Sequence, residues 1–198
     1  SCLCTVNPQL FFNSLNSIQS LVVLEQHQTT RKDLQKFAKL MLLTLQNSRV
    51  DSIPLSDEIT TLSNYVELEQ FSMKAPFSFS ISTSDEINPD NIYIPPMMLQ
   101  PFVENAIKHG LPELGNKGQL NGTFELDQQL LICTIMDNGI GREAAIEKAK
   151  GKSKSHESAA IQVITDRLNM LNKGHTGNSL DIQDLENGTA VVIKLGVG

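Results

Sequence analysis

At 198 residues, with 40% hydrophobic and 19% charged content, the chain can bury one good core and a smaller accessory element. A formal net charge of −6 and the lack of a basic stripe exclude a nucleic-acid surface. The absence of a run of about 18 apolar residues excludes a membrane span within the sequence, and three cysteines, an odd number, argue for a reducing compartment.

The opening "SCLCTVNP" has neither an initiator Met nor a polar leader, so the chain is expected to be a piece of something longer. Cys2 and Cys4 have no second Cys or His pair at ligand spacing, and Cys133 sits in an apolar run as a small buried hydrophobe. In "VNPQLFFNSLNSI", Gln9, Asn13 and Asn16 share one helical face, while Phe11, Leu15 and Ile18 share another. The apolar period of 3.6 continues through Val22, then through Leu34, Phe37, Ala38, Met41 and Leu45, then through Leu55, Ile59, Leu62 and Val66. Two long helices and a shorter third follow. Pro8 suits a first helical turn, Thr29 or Thr30 caps the second helix, and Pro54 with Ser56 starts the third. A hairpin with so wide an apolar face cannot bury it alone. Pairing with its copy would complete a four-helix bundle, so a homodimer is expected.

Near Lys74 the period changes from helical to two, which divides the chain into a helical segment, 1–74, and a second domain, 75–198. "FSFSIS" turns Phe77, Phe79 and Ile81 inward and its serines outward, "IYI" is a short second run, and "LLICTIMD" reads as a buried strand. "SLDIQDL" and "AVVIKL" form a pair around a turn at "ENG". Helical stretches lie between them at Met97 to His109, Arg142 to Lys150 and Ile161 to Asn172. The order lacks a regular βαβ rhythm. It predicts an α+β fold with a mixed, mainly antiparallel sheet and helices on one face.

Three patterns carry chemistry. In "PPMMLQPFVENAIKHG", Met98, Phe102, Ala106 and Ile107 face a core while Asn105, Lys108 and His109 project elsewhere, so an amide oxygen for hydrated Mg²⁺ and an ammonium for phosphate stand on one helix. In "IMDNGIGR", Asp137 ends a strand, where it can accept a hydrogen bond from an exocyclic amine such as adenine's, and Gly139 and Gly141 leave room for a ring. A tight "DNG" turn explains the same letters without a ligand. The run "EKAKGKSKSHESAA", with lysines at 148, 150, 152 and 154, has the composition of a mobile, solvated loop whose charge attracts a triphosphate.

Taken in order, "QPFVENAIKHG", "DNGIGR" and the loop before "RLNMLN" resemble the N box, G1 box and lid region of the GHKL ATPases, whose fold is the Bergerat-type α/β sandwich. "NPQLFFNSLNSI", "KFAKLMLLTLQNS" and "IPLSDEITTLSNYVELEQF" narrow the resemblance to sensor histidine kinases of the LytS/YehU type, over about Asn7 to Leu195. That resemblance implies ATP and Mg²⁺ as cofactors, a homodimer, a response-regulator receiver domain as partner, and a place on the cytoplasmic side of the cell membrane, to which only upstream segments would anchor the parent protein. It gives Asn105 to Mg²⁺, Lys108 to phosphate, Asp137 to the adenine amine, Gly139 and Gly141 to the shape of the nucleotide pocket beside His109, and Arg167 to a phosphate or packing contact. The sequence departs from the family twice. "ESAAIQV" stands where the glycine-rich G2 box is looked for.

The second departure is Gln9, which occupies the position of the phosphoacceptor histidine, with Asn13 one turn later on the same polar face. The Gln amide nitrogen is conjugated with its carbonyl and is no useful nucleophile at neutral pH. Autophosphorylation is expected to be lost, through an engineered change or a natural one. The alternative reading is a catalytically silent ATP-binding scaffold that regulates a partner kinase or response regulator. A third is a GHKL-type phosphatase or ATPase without an acceptor.

Overall fold

The computed structural model describes residues 38, 42, 43, 46, 47, 50–71, 73, 75–112, 114–142, 144, 145, 154–172 and 177–197, with only the backbone of 154–160. Gln9, Asn13, nearly all of the two expected long helices, and the lysine loop at 148–152 lie outside the described residues.

The described chain opens on β1 (Ile53–Pro54) and runs directly into α1 (Leu55–Phe71). Then come β2 (Ser78–Thr83), β3 (Tyr93–Ile94), α2 (Gln100–Asn105), a π-helical turn (Ala106–Gly110), a 3₁₀ turn (Gly115–Lys117), β4 (Gln119–Asp127), β5 (Leu130–Asp137), α3 (Lys154–Leu171), β6 (Ser179–Asp184) and β7 (Thr189–Gly196). The main sheet has five strands in the order β2-β4-β5-β7-β6. Only β2 and β4 are parallel, and β4, β5, β7 and β6 run antiparallel to their neighbours. The sheet is therefore mixed and mainly antiparallel, as the strand patterns predict.

Period-two alternation places one face of this sheet in the core. Leu120, Phe124, Leu131, Cys133, Ile135, Val191, Ile193 and Leu195 are buried together, and the registers Phe124↔Cys133 and Cys133↔Ile193 line them up across three strands. Residues of the opposite parity, such as Thr123, Thr134 and Met136, are half-buried or exposed. Helices cover the buried face. Burial pushes the Cys133 thiol well above its usual range, so it acts as a small hydrophobe.

Helix α1 shares this core. Leu55, Leu62, Tyr65, Val66 and Leu68 fall on one helical face, are buried, and cluster with Met98, Leu99, Phe102 and Val103 around α2. The described part of the segment before Lys74 thus packs into the same core as the sheet. Periodicity identified the apolar face correctly but could not tell which layer would cover it.

Two further expectations change. The helix expected over Met97 to His109 starts at Gln100 and widens into the π turn, because Met97 takes a left-handed φ of 59° that no helix interior accommodates. The helix expected from Ile161 begins at Lys154, so the segment corresponding to "ESAAIQV" is helical backbone. The expected "SLDIQDL" and "AVVIKL" pair is β6 with β7, in the register Ile182↔Val191. Among the described residues no helix is long and apolar enough to cross a membrane.

Candidate functional site

The site lies between α2 with its π turn and the core face of β5, β7 and β6. At the start of α2, Glu58 of α1 is almost fully buried and its carboxylate accepts the N–H groups of Met97 and Leu99 at 3.0 and 3.3 Å. It holds Met97 in its unusual conformation and satisfies donors that the helix start would leave unpaired. Burial raises the Glu58 carboxyl above its usual range, and the bonds from Met97 and Leu99 and the nearby Arg167 oppose that rise. Arg167 itself donates to the Pro96 carbonyl at 2.8 Å. Through these contacts Arg167 ties α3 to the Pro-Pro loop and to α1.

Beyond Asn105 the helical ladder widens, with the Leu111 N–H donating to Ala106 at 2.9 Å. Such a π turn inserts one residue per turn and re-aims the side chains around it. Asn105 and His109 line a cavity of about 50 Å³ with Gly110, whereas Lys108 is not part of its wall. Lys108 instead pairs with the buried Glu104 at 3.1 Å, one turn back. Among the described residues the Asn105 amide has no hydrogen-bond partner, which leaves its oxygen for an external ligand.

Asp137 ends β5 on the cavity wall and is 8% exposed. Burial pushes its carboxyl up, and hydrogen bonds from the backbone N–H groups of Gly139 and Thr189 pull it back down. The Gly139 bond is 2.8 Å long. The "DNG" segment is thus a tight turn, clamped further by Asn138, which accepts from Gln119 N–H at 2.7 Å and donates to Lys117 carbonyl at 3.0 Å. It is more than a turn. Asp137 keeps carboxylate lone pairs beyond those bonds and stands on a wall shared with Asn105 and His109.

The two glycines expected to shape the pocket stand in different places. Gly139 packs against the backbone of Gly110, with Ile140 N–H donating to the Gly110 carbonyl at 3.1 Å, and it is not part of the cavity wall. Gly141 is part of the wall, turns the chain with a φ of +76°, and a Cβ there would stand in ordinary contact, 3.7 Å, with the Gly188 carbonyl oxygen.

Thr189, Arg142, Ile182 and Val191 complete the wall but were not expected there. Thr189 had a readable signal: it follows the "ENG" turn and stands opposite Asp137 across β5 and β7. The sequence pattern alone did not give that register. The apolar Ile135, Ile182 and Val191 line the same cavity as Asp137, an apolar lining with one polar group that could orient a ring.

Comparison with known proteins bears on this arrangement. The family model for histidine kinases matches residues 4–77. The sensor protein LytS of Staphylococcus haemolyticus is 30% identical over 190 residues, 94% of this chain and 32% of its own length. The chain therefore spans about a third of that relative. The histidine kinase domain of the blue-light-activated histidine kinase of Erythrobacter litoralis superposes with a TM-score of 0.55 at 14% identity, covering 97% of this chain and 92% of that one. Histidine kinase ThkA, in a complex with the response regulator protein TrrA, superposes with a TM-score of 0.50 at 15% identity, covering 99% of this chain and 62% of that one. The structural likenesses are of fold, and the fold they share is the GHKL kinase sandwich.

Proposed function

Because the chain is a relative of the LytS-type sensor histidine kinases over nearly its whole length, we propose that it binds Mg·ATP in the cavity beside Asp137 and forms the kinase portion of such a sensor. The observation that carries this reading is that Asp137, Asn105, His109 and Gly141 line one cavity together with the apolar Ile135, Ile182 and Val191. Asp137 would accept the exocyclic amine of adenine, and Gly141 would let the ring and ribose approach the backbone. The unengaged Asn105 amide oxygen fits a hydrated Mg²⁺, which would supply charge neutralisation at the phosphates. Lys108 reaches a phosphate only by leaving Glu104. The binding unit would begin near Val50 rather than after Lys74, because α1 closes the core under α2.

In the parent protein the helices before α1 would dimerise and present position 9 to the γ-phosphate, and a receiver domain would take the phosphoryl group onward. Phosphoryl transfer asks the protein mainly for alignment and electrostatic stabilisation, so the nature of the acceptor decides whether a well-placed nucleotide reacts. Gln9 offers no nucleophilic nitrogen, and transfer in this chain should fail. That substitution also favours the second reading, an ATP-binding scaffold that regulates a partner without phosphorylating itself. Incubation with γ-labelled Mg·ATP separates the readings. The unmutated chain should stay unlabelled and the Gln9→His variant should gain an acid-labile phosphate. Equal labelling of both would remove Gln9 as the acceptor position, and a silent Gln9→His variant that still binds ATP would favour the scaffold.

A further inference from the structure

Arg142 is the one permanently charged cation among the described residues of the cavity wall. It directly follows Gly141, whose left-handed backbone turns the chain out of the "DNG" loop, and it lines the same cavity as Asp137 and Asn105. Among the described residues it has an ion-pair contact with Asp184, at the end of the edge strand β6. The separation is 3.9 Å, and the two side chains are 34% and 53% exposed. That is the outer limit of an ion pair and is screened by water, so it contributes little. The Arg142 Nε is meanwhile shut off from solvent and has no hydrogen-bond partner among the described residues. A buried donor left unmade is costly, and the guanidinium fork matches the spacing of phosphate oxygens.

We infer that Arg142 is a further nucleotide-binding residue that pairs with the phosphate groups of the ligand, and that Asp184 is its resting partner, displaced when the nucleotide enters. The inference rests on the proposed ATP site and adds to it a specificity for the phosphorylated end. Asp137 would read the base at one side of the cavity and Arg142 the anion at the other. Lys108 is paired to Glu104, which leaves Arg142 as the cation on the cavity wall for that task.

The test is calorimetry of the unmutated chain with ATP and with adenosine in Mg²⁺ buffer, repeated for Arg142→Gln, Asp184→Asn and the double variant. Arg142→Gln should weaken ATP about tenfold and leave adenosine unchanged, as expected for a half-exposed charged hydrogen bond. Asp184→Asn should tighten ATP when Arg142 is present and have no effect on the Arg142→Gln background. Unchanged ATP affinity in Arg142→Gln, or an equal loss for ATP and adenosine, would overturn the phosphate role while leaving the adenine site standing. Failure of the unmutated chain to bind either ligand would overturn the site itself and this inference with it.

Discussion

A Cβ placed on Gly139 would stand 2.5 Å from the Cα, carbonyl carbon and oxygen of Gly110, so the loop after β5 and the π turn after α2 touch backbone to backbone. This contact fixes the distance between the elements bearing Asp137 and Asn105. Gly139 cannot carry a side chain without separating them, and a Cβ on Gly110 would stand 2.9 Å from the Asp137 Oδ1.

The first prediction follows from that contact. Gly139→Ala should lower stability by about 2–3 kcal/mol, the upper range for overpacking against atoms that cannot rotate away, and should weaken nucleotide binding. Gly141→Ala has its nearest obstacle at 3.7 Å and meets only the cost of a left-handed backbone, about 1–2 kcal/mol. Thermal unfolding of the two variants checks the order. A Gly139→Ala protein as stable as the unmutated chain would mean that the two backbones are not in contact.

Glu58 gives the second. Glu58→Gln replaces a carboxylate that serves two N–H groups with an amide whose NH₂ faces donors, and should cost about 1–3 kcal/mol. Its pH dependence has a defined sign. Burial raises the native carboxyl above its ordinary value of 4.5, so the folded state holds a proton that the unfolded state has released. The contribution of Glu58 is complete below that ordinary value and is lost as pH rises through the raised one. Urea unfolding at about pH 5 and about pH 8 should show the gap between the unmutated chain and Glu58→Gln narrowing at the higher pH. A gap that widens would place the native carboxyl below the ordinary glutamate value.

How much of this was legible in the sequence varies with the kind of signal. The strands "FSFSIS", "LLICTIMD" and "AVVIKL" were readable because period two survives without gaps. β4 was not read as a strand although Leu120, Gly122 and Phe124 alternate inward, because Asn121 and Gly122 break the apolar pattern at its centre. The start of α2 was misplaced because the left-handed Met97 depends on Glu58, 39 residues earlier in the chain. Asp137 and Asn105 stand out in local motifs, and both line the cavity. Lys108 lies on the same helical stretch but pairs with Glu104 four residues back, the ordinary (i, i+4) contact, and not with the cavity. Thr189 and Arg142 needed the register of β5 with β7 and the shape of the cavity, which are properties of the assembled sheet.

The third prediction concerns Asp137 as a hydrogen-bond acceptor. Burial holds its carboxyl above the ordinary aspartate value of 3.8, and only the ionised form leaves every oxygen lone pair available to an amine. Affinity for adenosine, which carries no phosphate to titrate, should be constant near neutrality and fall as pH drops through the raised value, at a higher pH than a solvated aspartate would allow. In Asp137→Asn the fall should disappear. Identical pH profiles in the two proteins would assign the titration to another group.

The central claim, that this cavity is an adenine-nucleotide site organised around Asp137, is tested most directly by calorimetric titration of the unmutated chain and of Asp137→Asn with Mg·ATP. The account predicts saturable binding by the unmutated chain, and a loss of about 1.5–3 kcal/mol in the variant, the worth of one charge-assisted hydrogen bond. No heat of binding at millimolar ATP, or equal affinity in the two proteins, would contradict it.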